Sequence, residues 1–316
     1  MPKALYTCLI VGVVRFFRFV PFVSKFVTKL NIMERIYFDT SVINCLLDDS
    51  LSYELISSLK KSFQPYLSFF TIIELLATSD KQRRIKLVNL AKSILGNYRP
   101  LARPGDLLKR SLQARYKSIS EFNASITDED DSLWYAVNNP EQINDDDYRE
   151  IRQEKVRQED WFKEMYKTAR PLYQKEFRKA TKREKEQLLS KPSCFLRFAV
   201  QYLFESMLMS LVKKADNAIP SEFVKRYARK PEDVWCYFLM GIFYSMYIYC
   251  VQTSNYSYKK NISSIDTQQS IYLGVSDIFV TNDTKQYEML KIISPFGVHQ
   301  KKIWLYSEFK KLLKRR

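Results

Sequence analysis

Four acidic residues fall where a hydrolytic site could be assembled. Asp39 directly follows the apolar run "RIYF"; Glu74 lies in "TIIELL"; Asp266 opens "IDTQQSIYL"; Asp283 closes "IFVTND". Carboxylates crowded together repel one another. A hard divalent cation relieves that repulsion, and Mg²⁺ or Mn²⁺ takes oxygen ligands while keeping several waters. Such a cation can bind a phosphate oxygen, lower the pKa of a bound water and stabilise a leaving oxygen, which is the chemistry of phosphodiester hydrolysis. The chain has a single histidine, His299. A single histidine argues against histidine triads and leaves too few ligands for H-E-x-x-H or histidine-rich metal sites, so carboxylates are expected to carry any chemistry.

Each acid also has a plain structural reading. Asp39 can cap a helix from Val42, Asp283 a helix from Thr284, and Asp266 can be a first-turn acid. Glu74 can be the reciprocal partner of Thr71 in a capping box. What distinguishes the set is its position. In an open parallel sheet the working crevice lies outside the carboxyl ends of the strands, and these acids follow strands or open helices at that end. Asp277 stands at the entry of its strand, away from the crevice, and Asp48 and Asp49 read as surface residues.

The elements that must position these residues alternate between strand and helix. Arg35–Phe38 reads as a buried strand, 42–47 and 51–63 as helices, and 65–69 as a second strand. Residues from Thr71 begin a helix, and 81–98 form a basic amphipathic one. The tail repeats the pattern: helix 266–273, strand 277–281, helix 284–293, strand 302–305 and a basic helix to Arg316. Strands alternating with helices predict a parallel sheet. Between the two α/β segments lies a mainly helical stretch, within which 151–190 has the alternating charge of a solvated helix. Residues 234–251 carry no charge and read as the centre of a soluble core, with a membrane span as the alternative. The expected organisation is a leader over 1–32, α/β segments over 33–105 and 259–316, and a helical insertion over 106–258. The leader has an apolar run too short to span a bilayer, and Met33 reads as the natural start.

The formal charge of +16 over 316 residues points to a polyanionic partner, nucleic acid or an anionic membrane. Lys81, Arg83, Arg84 and Lys86, with the basic tail, are the candidates for nucleic-acid backbone contacts. Five cysteines without a C-x-x-C pair argue against a disulfide framework or zinc site, and a cytoplasmic setting is expected, with membrane association through 1–32 as the alternative.

The stretches "IYFDTSVIN", "LSFFTIIELL" and "IDTQQSIYLGVSDIFVTND" resemble the PIN domain family. The resemblance covers about residues 33–98 and 258–310. It implies a three-layer α/β/α fold and a divalent-metal nuclease acting most often on RNA, with Asp39, Glu74, Asp266 and Asp283 as metal-binding and catalytic positions. Thr281 takes the hydroxyl position before the last acid, and Ser41 supports the first. It also implies Mg²⁺ or Mn²⁺ and no small-molecule cofactor. A toxin role with a protein antitoxin, and self-association, fit the same family. The long helical insertion departs from the family pattern. The competing readings are an inactive PIN-like scaffold or nucleic-acid-binding protein, a phosphatase of the haloacid dehalogenase type, and a membrane-bound or DNA-directed nuclease. The phosphatase reading is weakened because Ser41 stands where that chemistry wants a second Asp.

Overall fold

The structure, a computed structural model, describes residues 33–119, 122–127, 131–179, 181–183, 186, 191–215, 219–251 and 263–314. The leader and the last two arginines lie outside the described residues. Four parallel strands among these form one sheet in the order β2-β1-β3-β4: β1 (Glu34–Phe38), β2 (Phe63–Tyr66), β3 (Ile278–Thr281) and β4 (Lys302–Leu305). The second strand ends earlier than the sequence pattern suggested, because Ser68 already caps the next helix. Pro65 is accommodated because β2 lies at an edge, where a missing ladder donor is tolerated.

The first segment carries helices α1 (Thr40–Asp48), α2 (Ser52–Ser62), α3 (Phe69–Leu76) and α4 (Lys81–Leu95). The insertion follows with α5 (Pro104–Tyr116), α6 (Asp131–Asn138), α7 (Asp145–Lys179), α8 (Pro192–Tyr202), α9 (Phe204–Ala215), α10 (Ser221–Ala228) and α11 (Asp233–Met246). The last segment adds α12 (Ser264–Gln269), α13 (Thr284–Ile293) and α14 (Tyr306–Leu313). Successive strand residues point to opposite faces. Tyr37 stacks on Tyr272 with ring centroids 4.9 Å apart, while its neighbour Phe38 meets Phe309 of α14 at 5.1 Å. Helical segments thus cover both faces, and the strands are apolar on both sides as a parallel sheet requires.

Helix α11, uncharged beyond its first residue Asp233, is buried in protein. Trp235, Tyr237 and Phe243 are fully enclosed. Their polar atoms are satisfied internally: Trp235 Nε1 donates to the Leu108 carbonyl at 3.1 Å, and the Tyr237 hydroxyl donates to the carbonyls of Ser294 and His299 at 3.2 and 2.8 Å. No single described helix is long and apolar enough to cross a membrane; α8 and the start of α9 pass such a test only jointly and are bent by 63°. The insertion is packed directly onto the C-terminal α/β segment. At Gly274 an added Cβ would stand 2.5 Å from both the Cα and the N of Val234, so glycine is needed for this backbone approach. Helix α7 is not solvated on every side. Ile151 packs against the core and Tyr166 is buried against Tyr249, whose ring lies 4.7 Å away, so one stripe of the helix faces inward.

Asp49, expected at the surface, instead ties α1 to α14. It accepts from the Tyr306 hydroxyl at 2.8 Å and pairs with Lys310 at 2.5 Å, with its side chain only 6% exposed. The Lys310 hydrogen bond chiefly holds its carboxyl at about 2. A carboxyl depressed on folding stabilises the fold above its unfolded value, about 4, and that contribution is lost as pH falls toward 2. Asp49→Asn should therefore lower the melting temperature at pH 7, with the gap from wild type closing between about pH 4 and pH 2; a gap independent of pH would contradict the pairing. Gly274→Ala should cost about 1–3 kcal/mol by overpacking, read by urea denaturation, and a neutral result would show that Val234 does not sit there.

Candidate functional site

The strand order places a topological switch point between β1 and β3. The chain leaves β1 to reach β2 on one side, and β3 lies on the other. Ligands of open α/β sheets bind in the crevice at such a point. Asp39 follows β1 and Asp283 follows β3 by two residues, so both stand at this crevice.

Asp39 is buried and is also the N-cap of α1. Its carboxylate accepts from the Val42 N–H at 3.0 Å, from the Ser41 hydroxyl at 2.8 Å and from the Thr281 hydroxyl at 2.6 Å. Burial pushes its pKa up to about 7; the three donors pull it back and the charge of Asp266 pushes it further up. Thr281 does two tasks, because its oxygen also accepts from the Asp283 N–H at 3.0 Å. Ser41 likewise accepts from the Asn282 N–H at 2.7 Å. Ser41 lies beside the first acid, and Thr281, which the resemblance set before the last acid, also donates to the first; the two hydroxyls lace the end of β1 to the end of β3.

Asp266 forms a capping box with Ser263 at the start of α12. Burial, then the charges of Glu74 and Asp283, push its pKa up to about 6. Asp283 caps α13 through the N–H groups of Lys285 and Gln286. The capping readings of Asp39, Asp266 and Asp283 are therefore correct, and they coexist with convergence of the charges. Glu74 is different. Helix α3 starts at Phe69 with Ser68 as its cap, so Thr71 is not the cap and Glu74 is not its partner. Thr71 is turned inward, donating to the Phe38 carbonyl at 3.3 Å. Glu74 instead accepts from the Thr40 hydroxyl at 2.5 Å and pairs with Lys155 at 3.3 Å.

Three contributors were not apparent from the sequence. Thr40 sits inside the "DTS" run but bonds a residue far along the chain. Gln286 is fully buried, with its Nε2 3.4 Å from Asp266 Oδ1 and 2.8 Å from Gln269 Oε1. Among the described residues its Oε1 has no hydrogen-bond partner. Lys155 arrives from the insertion, on the inward stripe of α7; the only sequence signal is a lysine four residues after Ile151 in a mixed-charge helix.

The chain matches no protein-family model, no curated protein and no solved structure. The site is therefore weighed on its own residues.

The donors suit a hard cation in kind. They are carboxylate oxygens, joined by an orphaned buried amide oxygen of Gln286 beside Asp266, and histidine and cysteine are not among them. They are not drawn into a cage: among the described residues no three His, Cys, Asp or Glu side chains stand at ligating spacing. The remaining sequence candidates divide. Lys81 and Lys86 are exposed on α4, Arg83 pairs with Asp48 at 2.7 Å, and Arg84 is buried. Arg84 donates to the Thr78 carbonyl at 2.8 Å and lies over the Tyr148 ring, so it is turned into the protein and cannot meet a phosphate backbone. Asp277 lies outside the crevice. Burial acts to raise its pKa, but hydrogen bonds from the Arg35 side chain and N–H outweigh that and hold it below the usual carboxylate value. His299 is exposed and lies against Asp233.

Thr281 gives the sharpest structural prediction. Thr281→Val strips a donor from a buried carboxylate and an acceptor from the Asp283 N–H, and should cost about 1–3 kcal/mol. Thr281→Ser keeps the hydroxyl and should lose far less. Equal losses in denaturant melts would show that the hydroxyl is not the contributing group.

Proposed function

We propose that this protein is a PIN-like, divalent-metal-dependent nuclease that hydrolyses phosphodiester bonds, with RNA as its substrate. The observation that carries the reading is that Asp39, Glu74 and Asp283 all stand close enough to Asp266, beside the β1–β3 switch point, for their charges to act on one another; Asp39 is buried, Asp266 is half-buried, and burial with acidic neighbours raises both carboxyls above the ordinary value. Helix capping alone gives no reason to bring these carboxylates within range of one another's charge. The parallel sheet with helices on both faces is consistent with the three-layer arrangement the resemblance implies.

Asp39, Glu74, Asp266 and Asp283 would hold Mg²⁺ or Mn²⁺, which when bound supplies Lewis-acid polarisation and a more acidic water. The protein's own part is positional. Thr281 and Ser41 fix the Asp39 carboxylate, the Ser263 capping box fixes Asp266, and Thr40 orients Glu74. A crevice carboxylate would accept a proton from water as the water oxygen bonds phosphorus; the phosphorus–oxygen bond to the leaving group breaks, and the leaving oxygen takes a proton from solvent. Lys81 and Lys86 offer exposed positive charge for the nucleic-acid backbone.

A second reading, a PIN-like scaffold without catalysis, is favoured by one observation: Glu74 is already paired with Lys155. Thermal melts with and without Mn²⁺, beside cleavage of mixed RNA and DNA, separate the two. The nuclease reading predicts that Mn²⁺ stabilises the wild type and that Asp39→Asn, Glu74→Gln, Asp266→Asn and Asp283→Asn each lose that shift and nearly all cleavage. In metal-free protein, Asp39→Asn should melt no lower than wild type, because a buried charge is removed while a capping side chain is kept. Asp277→Asn should lower stability through loss of its Arg35 pairing, yet keep both the Mn²⁺ shift and cleavage. A wild type indifferent to Mn²⁺ and inert toward RNA and DNA would favour the scaffold.

A further inference from the structure

Helix α7 belongs to the insertion, the part of the chain that the PIN resemblance does not cover. It nevertheless packs against both acid-bearing helices, α3 and α12. On its inward stripe, Ile151 packs against the core and Tyr166 is buried. Between them Lys155 reaches the acids, with its Nζ 3.3 Å from Glu74 Oε1 while Thr40 holds the other oxygen. The ammonium is not sealed in: the Lys155 side chain remains 31% exposed and that of Glu74 18%. A cation placed only to fasten α7 would not need to stay open to an incoming group.

Charge balance gives this placement a purpose. Four ionised carboxylates around one divalent cation leave two negative charges uncompensated, and a phosphodiester arriving there adds a third. Repulsion of that kind opposes substrate entry most where water is partly excluded. A second cation would relieve it, and a lysine ammonium is a compact point charge able to do so. We propose that Lys155 is the second positive group of this site, supplied by the insertion: it contacts the substrate phosphate and competes with the divalent cation for Glu74. The proposal rests on the metal-dependent reading above. It gives the insertion a direct part in handling the substrate.

The test uses the full chain with Lys155→Met, which keeps length and removes charge, and Lys155→Arg, which keeps charge. Mn²⁺ binding is followed by titration calorimetry, folding by thermal melts, and RNA cleavage by kcat and KM. Loss of the competing ammonium should tighten Mn²⁺ binding several-fold in Lys155→Met and leave it near wild type in Lys155→Arg. Cleavage by Lys155→Met should fall about a hundredfold, the usual scale for losing one electrostatic contact to the reacting group, with a raised KM; Lys155→Arg should recover part of it. A merely structural lysine would lower the melting temperature without tightening Mn²⁺ binding. Unchanged Mn²⁺ affinity in Lys155→Met, or cleavage equal to wild type, overturns the proposal while leaving the metal site intact. If Lys155→Met does not fold, Lys155→Arg decides alone: Mn²⁺ binding near wild type with cleavage partly retained supports the proposal, and complete loss of cleavage with Mn²⁺ affinity retained overturns it. If wild type and Asp39→Asn alike fail to bind Mn²⁺, the metal-dependent reading has failed and takes this inference with it.

Discussion

The energetic burden at the centre of this fold is the buried carboxylate of Asp39. Removing a charged carboxylate from water is costly unless it is hydrogen-bonded or paired. Here three donors from two separate segments converge on it: Val42 and Ser41 from the start of α1, and Thr281 from the end of β3. Those bonds require β1 and β3 to be neighbours and to end at the same level, which the register provides by setting Phe38 opposite Val280. The sheet order, the switch point and the crevice thus meet at one side chain. Even so the donors do not fully offset burial, and Asp266 adds its own, smaller negative field. A site left with excess negative charge in this way is suited to a cation.

The helical stretch between the two α/β segments and those segments depend on each other. Helix α11 reaches the C-terminal segment through the close approach at Gly274, and the Tyr237 hydroxyl ties it to the loop before β4. On the other side α7 lies against α3 and α12 and carries Lys155 to Glu74. The insertion therefore both completes the core and sets the charge at the crevice. The alternating charge of residues 151–190 alone suggests a solvated helix; the inward stripe of α7 shows otherwise.

What was legible in the sequence follows from the range of each interaction. Alternation of apolar strands with amphipathic helices is local, so the parallel α/β pattern could be read directly, whereas the uncharged stretch from Val234 fits either a core or a membrane span, and only the packing around α11 decides for the core. Asp39, Asp266 and Asp283 were visible because strand ends and helix starts leave local marks. The Thr71–Glu74 spacing misled because it imitates a capping box, whereas Ser68 is the cap and Thr71 serves the end of β1. Arg84 looked like a surface cation because a basic helix hides which of its residues turns inward; only the packing of Tyr148 over it shows that. Thr40, Gln286 and Lys155 act on partners distant in the chain, and no local spacing announces such pairs.

The central claim is that the four acids can close on one divalent cation. Anomalous diffraction from crystals of the full chain soaked in Mn²⁺ tests it most directly. The account predicts one strong anomalous peak at the β1–β3 crevice, within ligating distance of carboxylate oxygens from Asp39, Glu74, Asp266 and Asp283 or of waters they hold, with Glu74 drawn away from Lys155. Saturating Mn²⁺ with no peak there, and Glu74 still paired with Lys155, would contradict it.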